Sequence, residues 1–123
     1  MSLILLAEDE PTIAKLIEFK IRKDGHEVTV ARNGLEALTF IESKSWDLII
    51  LDVMMPGKTG WEVLQELRSR SQFITTPVIM LTAKGREEDR NHAAQLGATD
   101  FLRKPFDPAE LSKMVAKWLK SDV

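Results

Sequence analysis

Carboxylates, a hydroxyl and an ammonium stand at the ends of apolar runs in this chain, a set of groups suited to handling a phosphoryl group. Glu8-Asp9-Glu10-Pro11 follows Leu3-Ile4-Leu5-Leu6-Ala7, and Asp52 follows Leu48-Ile49-Ile50-Leu51. Thr82-Ala83 closes Val78-Ile79-Met80-Leu81, and Lys104-Pro105 comes just after Thr99-Asp100-Phe101-Leu102. Most of these groups have a plain structural alternative. Asp9 could cap a helix with Pro11 in its first turn, Thr82 could cap the helix after it, and Lys104 could be a solvated loop residue. Asp52 fits such a reading less well, because it leads into Val-Met-Met-Pro-Gly, a loop rather than a helix start. Brought together, the carboxylates would raise one another's pKa unless a cation neutralised them. Mg²⁺ suits the set, since it takes oxygen ligands in octahedral array, keeps several waters and is held by one or two carboxylates. Ca²⁺ suits it less, because the closely spaced oxygen ligands of a calcium loop are missing. A transferring phosphoryl group would then find its charge neutralised by Mg²⁺ and Lys104, and its oxygens bonded by Thr82 and backbone N–H groups.

For these residues to meet, the apolar runs must be strands that end at one edge. The runs ending at Ala7, Leu51 and Leu81 are unbroken, as parallel strands buried on both faces read. Val28-Thr29-Val30-Ala31 alternates and Thr99-Asp100-Phe101-Leu102 is short and half polar, so both read as edge strands. Between the runs, Ile13, Leu16, Ile17 and Ile21 form a helical stripe that Gly25 stops. A shorter helix over roughly 34–43 offers Leu35, Leu38 and Ile41, and a third over roughly 60–70 offers Val63, Leu64 and Leu67. The fourth, over roughly 86–95, is polar nearly all round and packs only through Ala93, Ala94 and Leu96, which implies low local stability. The fifth repeats Leu111, Met114, Val115, Trp118 and Leu119 behind a capping box of Asp107, Pro108 and Glu110. Five such units with right-handed crossovers make an α/β fold: a doubly wound, five-stranded parallel sheet, (βα)5 and flavodoxin-like, with strand order 2-1-3-4-5. Ligands in this arrangement bind outside the carboxyl ends of the strands, where the order reverses between strands 1 and 3.

A chain of 123 residues is one domain, here 1–123. The absence of cysteine excludes disulfides, thiolate metal sites and cysteine nucleophiles, and two separated histidines speak against zinc, so a metal must be held by oxygen. Seventeen basic and nineteen acidic residues give a net charge of −2, which offers no footprint for nucleic acid or anionic lipid and favours a protein partner. The first strand begins at Leu3, which leaves no room for a secretory leader, and no apolar run is long enough to span a membrane. A cytoplasmic setting is expected.

Four segments, Ile-Leu-Leu-Ala-Glu8-Asp9-Glu-Pro, Leu-Ile-Ile-Leu-Asp52-Val-Met-Met-Pro56-Gly57, Pro-Val-Ile-Met-Leu-Thr82-Ala83 and Gly97-Ala-Thr-Asp-Phe101-Leu-Arg-Lys104-Pro105-Phe106, together resemble the receiver domains of bacterial two-component response regulators. The resemblance covers essentially the whole chain, and the strand order above is taken over from this family. It implies that Asp52 is the phosphoacceptor and that Glu8 and Asp9 are the acidic pair that holds Mg²⁺ with Asp52 and the backbone carbonyl of Met54. Thr82 and Lys104, with Ala83 beside them, would contact the phosphoryl group, and Thr82 and Phe101 would be the switch. The acidic pair is Glu-Asp where Asp-Asp is commoner, and the switch aromatic is Phe rather than Tyr. The plain reading of Phe101 is edge-strand packing. Lys104-Pro105 is expected to be cis.

The implied donor is a sensor histidine kinase or a histidine phosphotransfer protein. The implied output is a domain, a protein or a second copy that binds the fourth helix, fifth strand and fifth helix, without direct contact of this domain to nucleic acid or membrane. Because the substrate is its own side chain, the chain would not be a conventional turnover enzyme. Three rivals remain at this stage. A Mg²⁺-dependent aspartyl phosphatase generally carries a second acid two residues after the nucleophile, where this chain has Met54. A degenerate receiver could bind partners without phosphorylation, against which Asp9, Asp52, Thr82 and Lys104 stand intact. A flavin- or nucleotide-binding domain would need a Gly-rich loop after the first strand, and none is present.

Overall fold

The computed structural model describes residues 2–73, 75–82 and 87–120, with backbone alone for 87–89 and 120. In chain order it has β1 (Leu3–Ala7), α1 (Pro11–Lys23), β2 (Glu27–Ala31), α2 (Gly34–Ser43) and β3 (Leu48–Asp52). These are followed by α3 (Gly60–Arg68), a short 3-10 helix (Ser71–Phe73), β4 (Val78–Thr82), α4 (Glu87–Leu96), β5 (Asp100–Arg103) and α5 (Pro108–Lys120). The strands form one sheet in the order β2-β1-β3-β4-β5, and every pairing is parallel. The continuous apolar runs are the three interior strands, and the alternating and half-polar runs are the two edges.

Alternation along the strands divides the core in two. Leu5, Ala7, Ile49, Leu51, Val78 and Met80 pack with α2, α3 and Phe73 on one face. Ile4, Leu6, Leu48, Ile50, Ile79 and Leu81 pack with α1 and α5 on the other. Successive strand residues point to opposite faces, so parallel strands covered by helices on both sides bury every position.

Helix ends follow local chemistry. Gly25, at φ +100°, stands just after the α1 cap, where a left-handed residue ends the helix. In α3 the Thr59 side chain and Glu62 form a reciprocal capping box. In α5 the Asp107 carboxylate accepts from the Ala109 N–H at 2.9 Å, and Glu110 accepts from the Asp107 N–H at 3.0 Å.

Two residues depart from the expected helical stripes. Leu16 is 56% and Leu35 57% exposed, while Ala14, Ile17 and Ile21 in α1 and Ala37 and Ile41 in α2 are buried. Each lies at the margin of its stripe, beyond the reach of the sheet. Ala94 is likewise exposed, so α4 packs through Ala93 and the half-buried Leu96. Trp46 was not foreseen as core, yet it is buried and its indole N–H donates to the Phe40 carbonyl at 3.0 Å.

Candidate functional site

The carboxyl ends of β1, β3 and β4 and the loop after β5 bring the expected residues together. Asp52, the last residue of β3, is 4% exposed, and Glu8, just after β1, is also buried. Both carboxylates meet one cation: Lys104 Nζ lies 2.9 Å from Glu8 Oε1 and 3.1 Å from Asp52 Oδ2. That lysine is set by the strand beside it, since the Lys104 N–H donates to the Thr82 carbonyl at 2.8 Å. The following peptide, Lys104-Pro105, is cis.

Asp9 does not cap α1. Glu10 does, accepting from the N–H groups of Thr12 and Ile13, with Pro11 in the first turn where its missing donor costs nothing. Asp9 is thereby left exposed and free for another task. Glu8, Asp9 and Asp52 each offer an oxygen, and the three oxygens lie within 4.8 Å of one another. Such a set of hard oxygen donors, beside an apolar sheet edge, fits Mg²⁺. Electrostatics agree with that fit. Burial pushes the Glu8 carboxyl up to about 7, with Lys104 opposing the shift and Asp52 adding to it. A divalent cation would offset the burial, and the added effect of Asp52, that raise the Glu8 pKa. Burial also works against the charge on Lys104, but its two carboxylate partners outweigh it and raise its pKa.

Thr82, the last residue of β4, is buried, and among the described residues its hydroxyl has no hydrogen-bond partner. A buried unpaired hydroxyl costs free energy unless something comes to meet it. Ala83 lies outside the described residues. Met54 exposes its side chain, and its N–H donates to Asp52 Oδ1 at 3.4 Å. Phe101 is half-buried against the core on the α2 and α3 side, and the Arg90 guanidinium of α4 covers its ring at 5.0 Å. The pairing of Lys104 with Glu8 as well as Asp52 was not foreseen, and no signal local to either segment announces it.

Beside the site, Ile13, Leu16, Ile17, Pro105, Phe106 and Pro108 line an apolar groove of about 510 Å³ that Lys104 borders. On the far side of the sheet, the Trp61 ring of α3 meets His92 of α4 edge to face at 4.6 Å. The Trp118 indole of α5 donates to Asp100 of β5 at 2.9 Å. Among the described residues no helix is long and apolar enough to cross a membrane.

Comparison with known proteins agrees with this geometry. A family model described as the response regulator receiver domain matches residues 4–116. A probable transcriptional regulator of Cyanophora paradoxa, ycf27, is 42% identical over 117 residues, which are 95% of this chain and 48% of that protein. The chain therefore spans about half the length of that relative. The receiver domain of a Francisella response regulator, 1452, superposes with a TM-score of 0.92 at 36% identity, over 100% of both chains. The receiver domain of the sensor histidine kinase PA1611 from Pseudomonas aeruginosa superposes with a TM-score of 0.88 at 34% identity, over 97% of this chain and 98% of its own. That structure has a magnesium ion coordinated in its active site cleft.

Proposed function

The chain belongs to the response regulator receiver family, and from that premise we propose that it accepts a phosphoryl group on Asp52 in a Mg²⁺-dependent reaction and relays the event to an output partner. One observation carries the reading: a buried aspartate paired with Lys104 at 3.1 Å, beside a buried threonine hydroxyl that has no partner among the described residues.

The donor is a phosphohistidine on a sensor kinase or phosphotransfer protein. An Asp52 oxygen attacks phosphorus, the P–N bond breaks as the P–O bond forms, and the imidazole leaves. Lys104 holds positive charge beside the incoming oxygens, and the Thr82 hydroxyl donates to them. Glu8, Asp9 and Asp52, with the Met54 carbonyl, would hold Mg²⁺, which when bound supplies charge neutralisation at the phosphoryl oxygens. Hydrolysis of the acyl phosphate returns the carboxylate. Each transfer occupies the chain's own side chain until then, so it is not a conventional turnover enzyme.

Once Asp52 carries a dianion, Thr82 moves to bond it and Phe101 fills the vacated space, repacking the surface of α4, β5 and α5. A tenfold shift between the two packings requires about 1.4 kcal/mol. That surface meets an output domain, a protein or a second copy of the chain, in the cytoplasm and without contact to nucleic acid or membrane.

The reading is tested by treating the protein with acetyl phosphate and Mg²⁺ and measuring intact mass. One phosphoryl adduct is expected, absent from Asp52→Asn and from samples in excess EDTA. An adduct that persists in Asp52→Asn would sink the assignment.

A further inference from the structure

Gly34 opens α2, far from Asp52 in sequence, yet its backbone sits on the loop that follows Asp52. A Cβ built on Gly34 would lie 2.1 Å from the Lys58 carbonyl oxygen and 2.7 Å from Lys58 Cβ, closer than real atoms approach. The Gly34 N–H donates to the Pro56 carbonyl at 3.2 Å. Contact continues one residue on, where Gly57, at φ +84°, lies against Leu35. Gly34 itself is not among the positive-φ glycines. Space rather than backbone conformation demands glycine there.

The strand that feeds this turn reaches the other side of the site, because the carbonyl of Ala31, the last residue of β2, accepts from the Glu8 N–H at 3.0 Å. At the far end of the acceptor loop, the Gly60 N–H donates to the Val53 carbonyl at 2.8 Å, and a Cβ on Gly60 would meet the Asp52 carbonyl at 2.3 Å. The segment 53–59, which carries the Met54 N–H, is thus held between two glycines that admit no side chain.

We propose that Gly34 is a positioning residue of the acceptor site: lacking a side chain, it lets the end of β2, which holds the Glu8 N–H, and the turn into α2, which holds the loop after Asp52, brace the two together. This rests on the reading of Asp52 as phosphoacceptor. The turn acts as a spacer between the two carboxylate-bearing segments, and any atom added at Gly34 pushes the loop away from Glu8.

The test compares Gly34→Ala with Gly25→Ala. Gly25 also needs its glycine, for its φ of +100°, but has open space around it and lies at the opposite end of α1 from the site, so its substitution lowers stability without touching the loop. Gly34→Ala is expected to slow acetyl phosphate labelling about tenfold or more and to weaken Mg²⁺ binding in calorimetry by about threefold or more. Gly25→Ala stays within about twofold of wild type on both, despite a lowered denaturation midpoint. Hydrogen exchange of a peptide covering 53–60 is expected to quicken in Gly34→Ala alone. If the wild type takes no phosphoryl group, the acceptor reading fails and the exchange of 53–60 alone decides the role of Gly34. If Gly34→Ala does not fold, Asn33→Ala carries the test. It removes the cap on the Glu36 N–H, loosens the same turn without adding atoms, and should slow labelling about threefold or more. The proposal is overturned if the tested variant matches wild type in labelling and exchange, or if Gly25→Ala loses as much as Gly34→Ala on both.

Discussion

Glu8 and Asp52 share one ammonium, which only partly offsets the burial that sets how the site answers to pH. The Glu8 carboxyl rises from 4.5 to about 7, chiefly through burial. It therefore binds its proton more tightly folded than unfolded. The stability it contributes is fully present below about pH 4.5 and is lost as pH rises through about 7. Metal-free protein is expected to melt at a higher temperature at pH 5 than at pH 8, with Mg²⁺ recovering the loss at pH 8. Calorimetric Mg²⁺ affinity should fall as pH drops through about 7, because the ion must displace that proton. Identical melting at both pH values would contradict the assigned environment of Glu8. Thr82 gives a second prediction. Its hydroxyl bonds nothing among the described residues, so Thr82→Val should leave unfolding free energy unchanged or raise it by up to about 1 kcal/mol, while labelling from acetyl phosphate slows at least about tenfold. A clear loss of stability in denaturant titrations would reveal a partner for that hydroxyl. Asp52, Thr82 and Lys104 were legible because each follows a strand signal of its own. The bridge from Lys104 to Glu8 was not, since it joins opposite ends of the chain and only the sheet order makes them neighbours.

Among the five α-helices, α4 is held most lightly, with Ala93 as its one buried hydrophobic side chain among the described residues. Its amides are expected to exchange faster than those of β3 and β4, and a phosphoryl mimic such as beryllofluoride should change protection in α4 and β5. Changes confined to the loop after Asp52 would contradict the proposed switch. The far end of α4 is anchored instead. Arg68 of α3 donates from Nε to the Gly97 carbonyl at 2.9 Å and from Nη1 to the Phe73 and Thr76 carbonyls at 2.7 and 2.8 Å, and Nη2 reaches Thr99 Oγ1 at 3.4 Å. Arg68→Ala removes these bonds, three of them part-buried, and should cost about 1–3 kcal/mol in chemical denaturation, with labelling of the folded protein retained. Sequence pattern located both helices but not this anchor, for an arginine at the end of an amphipathic helix looks like any solvated charge. Leu16 and Leu35 were misjudged for a related reason: helical period shows which residues share a face, not how far the neighbouring surface extends.

At the scale of the whole molecule, the two core layers share the strands that separate them. Leu6→Ala on the α1 and α5 side and Leu51→Ala on the α2 and α3 side should each cost about 2–5 kcal/mol. Each should shift one common unfolding transition rather than create a second. Two resolved transitions would mean that the faces melt separately. The division itself was legible, because unbroken apolar strands between amphipathic helices require cover on both sides. What the pattern could not supply were the close approaches at Gly34 and Gly60, which depend on loop paths no periodicity encodes. The edge-to-face contact of Trp61 with His92 has a practical side as well. The chain has three tryptophans and no tyrosine, and the three indoles occupy different surroundings: Trp46 within the core, Trp61 between α3 and α4, and Trp118 against β5. Replacing Trp46 and Trp118 by phenylalanine would leave a single indole at the α3–α4 seam, so the emission of that variant can time the movement of α4 without an attached dye.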